Sequence, residues 1–351
     1  MKRIFITLAV SCVFVFAGII FAKPAIRGIA RKQLENIFSQ SKASIRKCVF
    51  YPAGEIRLAD IEIIRENIYS IRLTEAVIQY NLLSILKPGH LKLFLKHPEV
   101  NLTILKKGVL KSKEYLNLGR GAPIFQSVDV TSLNLKANIF GMPELELENG
   151  SLRQDFNSGQ ADFRIAGLKY AKLKLTDIKG KAKLSNTGFS VYDLSGSLLG
   201  GNIQADLEIQ TQGQLNYLLN LKCAGVDIER LVNDFNLREK FEMTGRISGE
   251  LKLKGSGAQI ELLAGNFSTL SPGGTLIITD MKFLEGMARN TSQPIDLLVE
   301  SFKNYHYNDS LISLGFEDGS VILKTELKGE TGRRNLNVVF HDFKIGGGTE
   351  Q

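Results

Sequence analysis

The chain has no tryptophan, and among its 351 residues there are only 8 prolines, 3 cysteines and 4 histidines. Each scarcity removes a class of function. Cys12, Cys48 and Cys223 form no CxxC pair and no metal knuckle, so neither a redox dithiol nor a zinc module can be assembled from them. A Cys48 to Cys223 bridge is compatible with an oxidising compartment, but lone cysteines acting as small hydrophobes are the simpler expectation. His90, His97, His306 and His341 have no metal-ligand spacing to one another or to the cysteines. No nucleophile elbow occurs: Gly196-Ser197-Leu198-Leu199-Gly200-Gly201 lacks both its spacing and its strand-to-helix setting, and reads as a turn. Gly245, Gly249, Gly255 and Gly257 are not followed by the Lys-Ser/Thr of a phosphate loop, and lie between alternating strand segments, where bulges or tight turns explain them. Asp60, Glu62, Asp206 and Glu208 fall on the outward side of strands, a solvated position unsuited to acid-base catalysis. No catalytic residue, metal or cofactor is therefore assigned.

A basic block is also missing. Lys and Arg number 44 against 36 Asp and Glu, and the resulting net charge of +8 is scattered along the chain. Solubility is the plain reading, attraction to anionic lipid headgroups the second, and nucleic acid is disfavoured because no basic run is interleaved with stacking aromatics.

What the chain does have is 33 glycines, a hydrophobic fraction of 44% and long stretches of alternating apolar and polar residues. That composition predicts many short strands joined by turns. The alternation is clearest where Ile203, Ala205, Leu207 and Ile209 interleave with Gln204, Asp206, Glu208 and Gln210. After a turn at 211–214, it is answered by Leu215, Tyr217, Leu219, Leu221 and Cys223, an antiparallel hairpin. Further alternation runs through Leu133, Leu135, Ala137; Phe163, Ile165; Leu251, Leu253; Val321, Leu323, Leu327; and Leu336, Val338, Phe340. Only short helices are predicted within this body, at Asn81 to Leu86, Asp227 to Phe235 and Pro294 to Phe302. They are too few to roof a sheet. The apolar face must then be covered by the sheet curling over on itself, leaving a packed interior or an open apolar groove, and on pattern alone the packed interior is the default.

The amino terminus differs. Residues Ile4 to Ala22 carry no charge and match the thickness of a bilayer as one helix of about 20 residues. Ile4, Phe5, Leu8, Val13, Phe16, Ile19, Ile20 and Phe21 are its anchoring side chains. Ile20 and Phe21 before Ala22 make a poor cleavage site, which favours an uncleaved anchor. Lys23, Arg27, Arg31 and Lys32 outnumber Lys2 and Arg3, so the charge rule alone places the body in the cytoplasm, although large carboxy-terminal domains translocate regardless of charge. Past Pro24, an amphipathic helix with Ile26, Ile29, Ala30, Leu34, Ile37 and Phe38 on one side is expected to lie on the membrane, plug the body or pack on the first strands. The expected division is 1–23 anchor, 24–42 amphipathic helix, 43–199 first part of the strand array and 200–351 second part.

The first hundred residues, with Gly54-Glu55-Ile56-Arg57-Leu58-Ala59-Asp60-Ile61-Glu62-Ile63, Ala76-Val77-Ile78-Gln79-Tyr80 and His97-Pro98-Glu99-Val100-Asn101-Leu102, resemble the amino-terminal region of AsmA-like envelope proteins of bacteria. Gly200-Gly201-Asn202-Ile203, Val226-Asp227-Ile228-Glu229-Arg230-Leu231 and the segment from Gly273-Gly274-Thr275-Leu276 to Leu336-Asn337-Val338 are most similar to the YdbH type of that superfamily. The resemblance implies a mainly β protein, a long curled antiparallel sheet (a β-taco or trough) with one N-terminal transmembrane helix and a few short helices. It implies a body in the periplasm, an anchor in the inner membrane, and phospholipid traffic toward the outer membrane, with no enzymatic step. Phospholipid, the inner membrane, and either an outer-membrane or periplasmic protein or further copies of the chain are the implied partners. The same resemblance turns the covered face into a groove whose candidate lipid contacts are Leu133, Leu135, Ile165, Ile203, Leu207, Leu219, Leu221, Leu253, Ile278, Leu323, Val338 and Phe340. About twenty strands spaced ~4.8 Å apart make an array of roughly 90 to 100 Å, a partial bridge. The rival reading is a structural adaptor for outer-membrane assembly with a closed core.

Overall fold

The computed structural model describes residues 24–32, 34–35, 38, 41–51, 54–81, 91–104, 125–139, 143–185, 187–210, 215–234, 236–239, 241–257, 259–291 and 294–340. The anchor at 1–23, the predicted helix after Asn81, His90, His341 and Cys12 lie outside them. No helix among the described residues is long and apolar enough to cross a membrane.

The chain is mainly β. Among the described residues, sixteen strands hydrogen-bond in chain order into one sheet, and three short strands form a second. The chain divides into two compact units, Met1–Phe163 and Arg164–Gln351, with the boundary inside a strand.

The first unit holds β1 (Lys42–Tyr51), β2 (Glu55–Arg65), β3 (Tyr69–Gln79), β4 (Leu91–Ile104), β5 (Phe125–Ile139), β6 (Leu145–Asp155) and the start of β7 (Gln160–Tyr170). Helix α1, residues 24–32 with 34–35, precedes them. Of its three expected placements, it takes the third: Ala30, Leu34 and Phe38 pack on a buried cluster that includes Ala43, Ile45, Leu58, Ile61, Ile63, Leu73 and Ala76. The expectation of an antiparallel sheet needs one correction, because β4 and β5 pair in parallel, Leu95 opposite Val130 and Val100 opposite Leu135. Parallel neighbours need a connection longer than a hairpin, and twenty residues of sequence, 105–124, separate β4 from β5.

Strict period two fails inside these strands. In β1 the buried face takes Ala43 and Ile45, then Cys48 and Phe50; in β2 it takes Ile63 and Ile61, then Leu58 and Ile56. Each strand skips one residue at its middle. Asp60 and His97 mark the skip with left-handed φ of 52° and 49°, followed by Ser132 (56°) and Asn149 (49°) in β5 and β6. In the second unit, Asp177 (53°) and Asp193 (54°) repeat the device where the β8–β9 and β9–β10 registers shift. These are β-bulges: the extra residue resets the phase so that both halves of a strand present apolar residues to one face, and it bends the strand. Asp, Asn and His tolerate the left-handed region better than other non-glycine residues, which accounts for most of the types found there.

The second unit continues with β8 (Leu173–Ser185), β9 (Gly188–Leu198), β10 (Gly201–Gln210), β11 (Asn216–Asp227), β12 (Phe241–Met243), β13 (Arg246–Ser256), β14 (Gln259–Thr269), β15 (Gly274–Ile278), β16 (Tyr305–Tyr307), β17 (Asp309–Glu317), β18 (Ser320–Gly329) and β19 (Gly332–Phe340). The helices are α2 (Ile228–Asp234), α3 (Met281–Thr291) and α4 (Ile295–Phe302). Leu199 and Gly200, with φ of 49° and 78°, turn β9 into β10 as a two-residue hairpin loop. The strands β12, β15 and β16 form the separate sheet. Together with α3 and α4 they enclose a small core of Leu276, Ile278, Leu284, Leu298, Phe302, Tyr305 and Tyr307, which also takes in Leu327 of β18. The Tyr305 hydroxyl reaches the carbonyls of Leu327 (3.2 Å) and Gly332 (2.7 Å), fixing this cap to β18 and the β18–β19 turn. Tyr307 donates to Thr244 O at 2.5 Å, and burial pushes its phenol up to about 12.

Candidate functional site

In antiparallel ladders, directly opposed residues share a face, so the registers define which side chains line up across the sheet. In the second unit they produce one row through eight strands: Leu194, Ala205, Leu221, Leu251, Gly265, Leu314, Leu323 and Val338. A parallel row runs through Ala182, Val191, Leu207, Leu219, Leu253 and Leu263. A third contains Gly196, Ile203, Cys223, Gly249, Phe267, Ile312, Thr325 and Leu336. Seven strand intervals of about 4.8 Å give the first row a span of roughly 34 Å.

The burial of these rows is uneven. Toward the cap the face is closed: Leu327 is 0% exposed, and Leu336 packs on the same core. Away from it Leu194, Ala205, Leu221, Leu251, Leu314 and Leu323, and every side chain of the second row, remain only half-buried. A cavity of about 760 Å³ lies on the opposite, polar side of these strands: its lining is mostly Gln204, Asp206, Asn220, Lys222, Glu250, Lys252 and Asn266, with Leu194, Ala205, Leu221 and Leu251 between them. The alternate positions are charged and wet, as in the Lys254–Glu261 pair at 2.8 Å with both side chains about half exposed.

Two glycines make room for neighbouring side chains. A Cβ on Gly265 would stand 2.9 Å from Leu251 Cδ1 and 3.0 Å from Phe267 Cε2, so its absence lets those side chains meet over the strand. A Cβ on Gly255 would fall 2.2 Å from the Tyr217 hydroxyl; the phenol lies there and donates to Gln259 O at 3.2 Å. Burial raises the Tyr217 phenol, with Glu261 adding to the effect.

Cys223 sits in the third row between Ile203 and Gly249. Its thiol is free, half-buried and pushed up by burial, while a hydrogen bond with the Gly249 backbone partly opposes the shift. Cys48 is also free.

The first unit repeats the pattern. Ala43, Ile63, Ile71, Val100, Leu135 and Leu147 form one row through β1 to β6, and Cys48, Leu58, Ala76, Leu95, Val130 and Leu152 another. Under α1 the rows are buried. On β5 and β6, Val130, Leu133, Leu135, Leu147 and Leu152 are half-buried, and the missing side chain of Gly150 leaves room for Leu133 and Leu147.

The candidate lipid contacts are therefore distributed as follows. Leu207, Leu219 and Leu253 share one row, Leu221, Leu323 and Val338 the next, and Ile203 the third, where it is 3% exposed. Leu133 and Leu135 lie on β5 of the first unit, and Ile165 is half-buried on β7. Ile278 is elsewhere, on β15 in the core beneath the helices. Phe340 ends β19 opposite Val321; the side chains of Phe340 and Val338 and the anchor residues lie outside what is described. Sequence reading did not pick out Leu194, Leu251, Leu263 and Leu314 as contacts, although Leu251 stood in its alternation; pairing register alone aligns them with the others. Among the described residues no group of His, Cys, Asp and Glu is placed to hold a metal ion.

Compared with known families, residues 127–335 match the model described as YdbH-like, intermembrane phospholipid transport protein YdbH. No curated protein matches the chain.

Proposed function

This chain belongs to the YdbH-like family, and from that premise we propose that it carries phospholipid between membranes by sheltering acyl chains on the apolar rows of its sheet. The observation that supports this most is the band of in-register, half-buried leucines in β9 to β18, which leaves apolar surface uncovered in a protein that buries comparable side chains at both Leu327 and Ile45. Apolar surface of that extent calls for a ligand or partner. Each methylene moved from water onto it contributes about 0.8 kcal/mol, and because successive strands present equivalent side chains, a tail can pass from one to the next without a deep well. Headgroups stay in water, so the rows need no polar pocket and no catalytic residue.

In this reading residues 1–23 are a helical anchor in the inner membrane, the strand body stands in the periplasm, and Leu133, Leu135, Ile165, Leu207, Leu219, Leu221, Leu253, Leu323, Val338 and Phe340 touch lipid, while the buried Ile203 supports the face from beneath. The test is to extract the purified full chain with organic solvent and quantify phospholipid. A conduit retains stoichiometric lipid that a Leu207→Glu/Leu221→Glu variant loses; an adaptor with a closed core holds none in either form.

A further inference from the structure

The amino-terminal end of the first unit carries a groove that the apolar rows do not explain. Between α1 and β1 lies a cavity of about 680 Å³. Its lining includes four cations, Arg27 and Arg31 from the helix and Arg46 and Lys47 from the strand, and no carboxylate. The apolar part of the wall comes from Pro24, Ala43, Ile45, Cys48 and Val49, of which Ala43 and Ile45 are buried in the core and Val49 is exposed. Arg31 stands 3.6 Å from Glu35 and Arg46 3.9 Å from Asp60, both long, exposed pairs that hold their cations weakly. Among the described residues, Arg27 and Lys47 have no ion-pair partner. Asp60, Glu62 and Glu99 line a second cavity that shares Arg27 and Arg46, and Glu62 is already engaged with Arg72 at 3.0 Å.

We infer that this groove docks the headgroup of an anionic phospholipid, with the glycerol end of its tails against Val49 and the phosphate among Arg27, Arg31, Arg46 and Lys47. The argument is charge complementarity joined to an apolar wall: a free phosphate would use the cations and leave the wall bare, whereas an amphiphile uses both. Position supports the same occupant. Pro24 comes two residues after the uncharged stretch ends at Ala22, so with that stretch in a bilayer the groove lies at headgroup level, beside the start of the apolar rows. The inference rests on the transport reading for where its lipid goes, but not for whether it binds.

The experiment uses the full chain in a non-ionic detergent at fixed low salt, incubated with equal amounts of phosphatidylglycerol and phosphatidylcholine of identical acyl chains, followed by mass analysis of what is retained. The expected result is enrichment of phosphatidylglycerol by roughly fivefold or more per unshared cation, falling toward unity in Arg27→Gln/Lys47→Gln. The same enrichment survives in Lys222→Gln/Lys252→Gln, exposed cations of the second unit. Raised salt weakens it. Equal retention of the two lipids by the parent overturns the inference, as does enrichment unchanged in Arg27→Gln/Lys47→Gln, or enrichment abolished by millimolar inorganic phosphate, which assigns the groove to the free anion. Leu221→Glu separates the two claims: a protein that keeps its headgroup preference yet moves lipid equally well with and without this substitution retains the groove and loses the conduit.

Discussion

Replacing Leu221 by glutamate places a carboxylate within the apolar row that runs from Leu194 to Val338. Leu221 faces Ala205 on β10 and Leu251 on β13 and is half-buried. The new carboxylate still reaches water, so the fold loses about 1 kcal/mol, the ordinary cost of a partly exposed substitution. An acyl chain crossing the position forfeits contact for about three methylenes at ~0.8 kcal/mol each, roughly 2.4 kcal/mol, which slows passage about fiftyfold. The assay is transfer of a fluorescent phospholipid between donor and acceptor vesicles by the full chain, alongside thermal unfolding. Asn220→Glu is the control: it is the preceding residue of the same strand, exposed, on the opposite face, opposed to Asp206 and Lys252. Transfer by Leu221→Glu within twofold of the parent, with unfolding unchanged, refutes the reasoning.

Other consequences follow from the same geometry. With Cys12 and Cys48 replaced by serine, maleimide should react slowly with Cys223 at neutral pH, because a thiol raised by burial has little thiolate there; the rate should climb with pH and drop further when phospholipid is supplied. An unchanged rate on adding lipid excludes occupancy of that row. At the bulge in β2, Asp60→Val should lose about 1–2 kcal/mol in a denaturant titration, since a β-branched residue resists φ of 52°, whereas Asp60→Gly should be nearly neutral because the Arg46 pair it removes is long and exposed. Equal losses for the two would remove the bulge as the cause. Phe302→Ala, at 2% exposure in the cap core, should cost about 3–5 kcal/mol and be visible as earlier unfolding, while Leu297→Ala on the same helix, at 63% exposure, should change little.

The hairpin of β10 and β11 was legible from alternation alone, down to the pairs Ile203 with Cys223 and Leu207 with Leu219, because neither strand contains a bulge over that stretch and one face is apolar throughout. Helices α2 and α4 fall within the predicted spans for the same reason, each carrying apolar residues at helical spacing. The phase breaks were harder. They are present in the sequence as a shift from even to odd apolar positions, Ile56 and Leu58 against Ile61 and Ile63, but only a partner strand shows that both sets face one way. Parallel pairing of β4 and β5 depends on a long crossover and has no local pattern. Helix α3 escaped because its apolar residues are interrupted by Lys282, Glu285 and Gly286; the available signal was Asp280, whose carboxylate accepts the Lys282 N–H at 2.9 Å as an N-cap. The separate sheet of β12, β15 and β16 is built from strands of three to five residues, too short for periodicity to register, and it is what draws Ile278 into a core.

Alternation offers the most direct test of lipid shelter on the rows. A photoreactive phenylalanine analogue is placed in the full chain, in cells, at Leu207, Leu221 and Leu253, and separately at their chain neighbours Asp206, Asn220 and Lys252. Phospholipid adducts at the first three positions and none at the second three are the predicted result. Adducts equally frequent on both faces, or absent from both, would contradict it.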